Sequence, residues 1–89
     1  MNNKIIFESI ALDLKRVALG AHSKSYKMAD RFLQEVYKRV EYIDKNLLTQ
    51  QYKNILDMML KQLQNSSADR LADDALLYST ILLSLSRKL

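Results

Sequence analysis

Residues 29–63 read ADRFLQEVYKRVEYIDKNLLTQQYKNILDMMLKQL, and the fold turns on whether they form one helix or two. Ala29, Phe32, Leu33, Val36, Tyr37, Val40 and Ile43 step by three and four without a miss, which is the spacing of one helical face. A second stripe follows in Leu48, Tyr52, Ile55, Leu56, Met59 and Leu63. Neither glycine nor proline separates the two. At ~100° per residue, however, the stripes lie roughly 120° apart, so an unbroken rod would turn one of them to water. The phase shift predicts a turn at Asp44-Lys45-Asn46, with Asn46 or Thr49 capping the next helix. A hairpin there places Val40 and Ile43 near Leu48 and Tyr52.

The flanking sequence supplies two more helices. Ile6, Phe7, Ile10, Leu14, Val17 and Ala18 share one face of a first helix, with Asn2 or Asn3 as its cap and Gly20 as its stop. Ser25 caps the second. Gln64-Asn65-Ser66-Ser67 breaks the third from the fourth, because Asn and Ser compete with helix through local side-chain bonds. In the fourth, Asp69, Asp73 and Asp74 come early and Arg87 and Lys88 late, matching the helix dipole. Its seam is Leu71, Ala75, Tyr78, Leu82, Leu85 and Leu89, and its small residues Ala72, Ser79 and Ser86 leave room for a close neighbour. On the outer face of the second helix, Glu35–Arg39 and Glu41–Lys45 are spaced as supporting i,i+4 pairs. The reading is an all-α, antiparallel four-helix bundle, up-down-up-down with short connecting turns. It forms a single domain over residues 1–89, with helices at about 3–19, 26–44, 48–64 and 67–88. Phe32, Val36, Ile55, Met59, Leu71 and Leu82 are the expected core.

Composition narrows the chemistry. Of 89 residues one is glycine and none is proline, cysteine or tryptophan, while 48% are hydrophobic and 27% charged. One glycine cannot build a phosphate-cradling loop, and the lack of cysteine rules out disulfides and thiolate metal sites. His22, the only histidine, stands in the expected loop between the first two helices with no ligand pattern around it. Asp73 and Asp74 are adjacent and diverge by ~100° on a helix, so they do not face each other as an acid/base pair. The expectation is therefore no enzyme, no cofactor, no metal and no small-molecule substrate. Ile5-Ile6-Phe7 is cut off by Glu8, unlike a secretory signal, and the uncharged run from Ala75 to Ser86 falls short of the ~20 residues of a membrane span. A cytoplasmic location is expected.

Two surfaces remain. The net charge is +4, and Lys24, Arg31, Lys38 and Lys45 recur every seven residues, with Lys27 beside them and Tyr42 on the same outward side. Such a ridge can follow a phosphate backbone while the tyrosine stacks on a base. Asp30, Glu35 and Glu41 flank it, as acidic residues flank any solvated helix face. The other surface is apolar: Ile5, Leu12 and Leu19 form a heptad strip opposite the main face of the first helix, and Leu76, Leu77 and Leu83 lie outside the seam of the fourth. Leu47 and Met58 add to the surplus. A bundle helix needs only a ~3/7 apolar face, so the excess calls for a wider internal contact or a second chain.

The leading expectation is a non-enzymatic protein–protein interaction module that self-associates or joins a larger assembly. Ile5, Leu12, Leu19, Leu76 and Leu83 are its candidate self-association strip. The second is an accessory nucleic-acid-binding protein using the anion-contact ridge of Lys24, Lys27, Arg31, Lys38, Tyr42 and Lys45. In size, basic charge and helical layout the chain also resembles the bacteriocin immunity proteins. That resemblance implies an immunity role toward a membrane-associated partner; it is one of architecture, and no residue is carried over from it.

Overall fold

The Asn2 side chain accepts the Ile5 N–H at 2.9 Å and starts the first helix, α1, which runs Asn3–His22. In the computed structural model, which describes residues 2–89, three further α-helices follow: α2 (Tyr26–Val40), α3 (Gln50–Asn65) and α4 (Ala68–Ser86). A single 3-10 turn, Lys45–Leu47, lies between α2 and α3. The Thr49 hydroxyl accepts the Tyr52 N–H at 3.3 Å and caps α3.

Cross-helix contacts fix the directions. Asn3 meets Asp44 and Asp13 meets Arg39, so α1 and α2 run antiparallel. Ser79 donates to the Ala11 carbonyl at 2.8 Å, while Leu83 stands beside Ile5 and Ala72 beside Leu19, so α4 also opposes α1. Gln62 reaches Asp74 and Tyr78, pairing α3 with α4 as a hairpin. The bundle is up-down-up-down, as the sequence predicts. It is centred on α1, which packs most extensively against α4 and α2, whereas α3 leans on α4. The small strip of α4 is taken up by α1: Ser79 is fully buried against the Ala11 carbonyl.

The break between α2 and α3 exists, but it comes earlier than expected. α2 ends at Val40 rather than near residue 44, and the chain turns through Glu41–Asp44. Val40, Ile43 and Leu48 are buried there with Tyr52 at their edge. What holds the turn is Asn3, whose side chain donates to the Asp44 carbonyl (3.0 Å) and accepts the Asp44 N–H (2.9 Å). The hairpin is loose, with the α2 and α3 backbones apart. Neither expected i,i+4 pair forms: Arg39 turns to Asp13 at 2.7 Å, and Glu41 lies beyond the end of α2. Asp13 also accepts from Arg16 at 3.0 Å. A buried carboxylate held by two guanidinium groups thus ties α1 to α2.

Gly20 does not stop α1. It is buried within the helix, and a Cβ there would sit 2.9 Å from the Ala29 backbone nitrogen and 3.2 Å from the Ser25 carbonyl oxygen. The glycine is needed for the close approach of α2, and α1 continues to His22. The left-handed residue is Lys24, at φ 60°. Its N–H bonds the Ala21 carbonyl (3.1 Å) and that of Ser25 bonds the Gly20 carbonyl (2.7 Å), the paired bonds of a Schellman turn.

Phe7, Ile10, Leu14, Val17, Val36, Leu56, Met59 and Leu82 form the dry centre. Of the expected core, Val36, Met59 and Leu82 are buried, whereas Phe32, Ile55 and Leu71 are only half-buried. Phe32 sits at the surface because α1, not α3, is the principal neighbour of α2. Its ring is covered by Arg16 (5.3 Å) and Arg31 (5.8 Å), both in cation–π range.

Candidate interaction face

α2 and α4 pack along α1 and bury most of its residues, leaving one side of it to solvent. On that side run Ile5, Glu8, Leu12, Lys15 and Leu19, with His22 at the end, while Lys4 and Arg16 are exposed as well. On an ordinary surface helix such positions are polar. Here Ile5, Leu12 and Leu19 are 47%, 50% and 59% exposed.

α4 continues the face. Leu83 lies in a shallow groove with Ile5, Glu8, Ser9, Leu12 and Lys15. Leu76 shares a neighbouring, mainly apolar groove of about 520 Å³ with Lys15, Ala18, Leu19, His22, Ala72 and Asp73. All five residues of the expected strip therefore meet on one side of the α1/α4 pair. Leu76 is half-exposed and Leu83 partly packed into the core, so Leu83 is the floor and the other four are the rim. Leu77, Leu47 and Met58 are exposed as well.

The basic ridge is less regular than its heptad spacing suggests. Lys24 belongs to the turn before α2, Lys27, Arg31 and Lys38 to α2 itself, Tyr42 to the turn after it, and Lys45 to the 3-10 turn. All six are exposed, but no single helix carries them. Arg31 is drawn over the Phe32 ring.

A polar cluster that sequence reading missed joins α3 to α4. Asp74 is buried; Gln62 Nε2 donates to its Oδ1 at 3.0 Å, and the Ser66 hydroxyl lies against its Oδ2. Tyr78 donates to Gln62 Oε1 at 2.9 Å. Burial, and then the Asp74 charge, push the Tyr78 hydroxyl above its usual pKa; burial and Asp30 do the same to Tyr37. In sequence Asp74 reads as a helix-dipole residue like Asp73, which is exposed. The one available signal was that Gln62, Asp74 and Tyr78 fall on facing sides of the α3–α4 hairpin. Every polar atom in the cluster is satisfied within it, which suits fastening two helices rather than activating a substrate. His22 closes α1 as an exposed residue, not in a loop.

Among the described residues no helix is long and apolar enough to cross a membrane, and no three His, Asp or Glu side chains cluster as metal ligands. No family model, curated protein or solved structure matches the chain.

Proposed function

We propose that this chain is a non-enzymatic interaction module whose working surface is the α1/α4 face. The observation that carries the reading is the convergence of Ile5, Leu12, Leu19 and Leu76, each about half-exposed, on one side of two packed helices. Fully burying an aliphatic side chain is worth about 1.5–3 kcal/mol relative to leaving it exposed, so a partner covering these half-exposed residues gains about half of that for each. The nucleic-acid reading has weaker support, because the basic ridge is divided among α2 and the turns on either side.

A photo-reactive amino acid at position 12 tests the reading, with one at position 38 on α2 as control. Irradiation in extracts of the producing cells is expected to give protein adducts from position 12 and few from position 38. Equal yields from both positions, or none from position 12, would contradict it.

A further inference from the structure

We infer that the occupant of the α1/α4 face is a second copy of the same chain, related by a twofold axis that crosses the two helices at Leu12 and Thr80. This rests on the interaction-module reading and names its partner. The charges on the face carry the argument.

Along the exposed stripe of α1, Glu8 and Lys15 stand on opposite sides of Leu12, and beyond them Ile5 and Leu19 each lie seven residues away. Packing α1 antiparallel on its copy about Leu12 sets Ile5 over Leu19 of the copy and Glu8 beside its Lys15. α4 repeats the pattern about Thr80: Leu76 falls over Leu83, and Asp73 over Arg87, which keeps helical geometry at φ −65° and ψ −20°. A twofold contact demands this kind of reciprocity, in which residue i meets j and j meets i.

The two centres also lie nearly level within one chain. Ser79 bonds Ala11 at 2.8 Å, and because α4 runs opposite to α1, Leu12 and Thr80 fall on either side of that bond, about 3 Å apart along the pair at ~1.5 Å per residue. One axis passing close to both therefore serves both helices. Among the described residues the ion pairs are Asp13–Arg16 and Asp13–Arg39, so Glu8, Lys15, Asp73 and Arg87 have no ion-pair partner in their own chain. An axis parallel to the helices would instead set α1 on α4 of the copy, with Glu8 level with Leu83 and Lys15 level with Leu76, and would bring Arg87 and Asp73 toward them only diagonally, three to four residues out of register. Charge complementarity selects the crosswise axis.

The dimensions of the face set the most that such a contact can bury. α1 spans 20 residues, or about 30 Å at ~1.5 Å each, and the molecule is 20–21 Å across. The face thus offers at most roughly 600 Å² per chain and ~1,200 Å² in total, which reaches the lower end of stable interfaces.

The chain contains no cysteine, so single substitutions at exposed positions report proximity cleanly. Facing helices ~8–10 Å apart bring facing residues within disulfide reach. Under mild oxidation Leu12→Cys is expected to form a disulfide dimer. Ile5→Cys and Leu19→Cys are each expected to stay single, yet to cross-link when mixed. Glu8→Lys is expected to weaken association roughly tenfold, and adding Lys15→Glu to restore it. Circular dichroism verifies that each variant keeps its helices. A dimer that Leu12→Cys does not trap, or one in which the double reversal is no better than the single, overturns the pairing. A single-chain mass at high micromolar concentration overturns self-association altogether. Position-12 photo-adducts to a different protein would then leave the broader reading standing, and their absence would remove it too.

Discussion

Gly20 and Lys24 exchange the roles their residue types suggest. A lone glycine near the end of an apolar stripe reads as a helix stop, yet Gly20 is where the α2 backbone comes within 2.9 Å of a would-be Cβ. Sequence alone does not distinguish a glycine required for φ from one required for space. Gly20→Ala gains up to ~1 kcal/mol of helix propensity and meets backbone that has no room to yield. A net loss of about 1–2 kcal/mol in urea unfolding is expected; a gain would mean that α2 shifts freely. Lys24→Gly relieves the left-handed strain and is expected to stabilise the fold by up to ~1 kcal/mol. Tyr78 supplies a pH dependence. Its raised pKa means that folding favours the neutral phenol, so this contribution is intact below pH ~10 and is lost as pH rises through the folded-state value. Tyr78→Phe leaves Gln62 Oε1 without its donor and is expected to cost about 1 kcal/mol at pH 8. The same variant should lose less stability than the unmodified protein between pH 8 and pH 11.

Among the elements, periodicity located all four helices because each has an apolar face of its own. Their ends were less legible, since they depend on tertiary partners. α2 stops at Val40, though its stripe extends to Ile43, because Asn3 captures the backbone of Asp44 from across the bundle. By sequence Asn3 reads only as an alternative cap for α1, and nothing local to residues 40–48 signals the contact. Likewise, Asp13 lies among the buried positions of α1 and attracts Arg39 away from Glu35. Asn3→Ala removes both bonds to Asp44 and is expected to destabilise the protein by about 1–3 kcal/mol. Amide hydrogen exchange should rise at residues 41–48 well before it rises in α1. Uniform acceleration across all helices would show that the turn is held by its apolar residues instead.

At the scale of the molecule, the all-α bundle and its alternating directions followed from the phase shift between two stripes and the lack of long loops. The centrality of α1 did not, because its second stripe reads equally well as surface or as core. In the folded chain that stripe is the exposed one. Five strip residues taken from two distant segments meet on a single face, which is the part of the candidate site most legible in sequence. The basic ridge was less so: its heptad spacing assumed a continuous helix that ends after Lys38. The central claim is that the α1/α4 face is covered by another copy of the chain. Sedimentation equilibrium of the unmodified protein, set beside its Leu12→Lys/Leu19→Lys variant, tests this most directly. Twice the 10.4 kDa chain mass is expected for the unmodified protein, and a folded species of single mass for the variant. A single-chain mass for both at high micromolar concentration would contradict it.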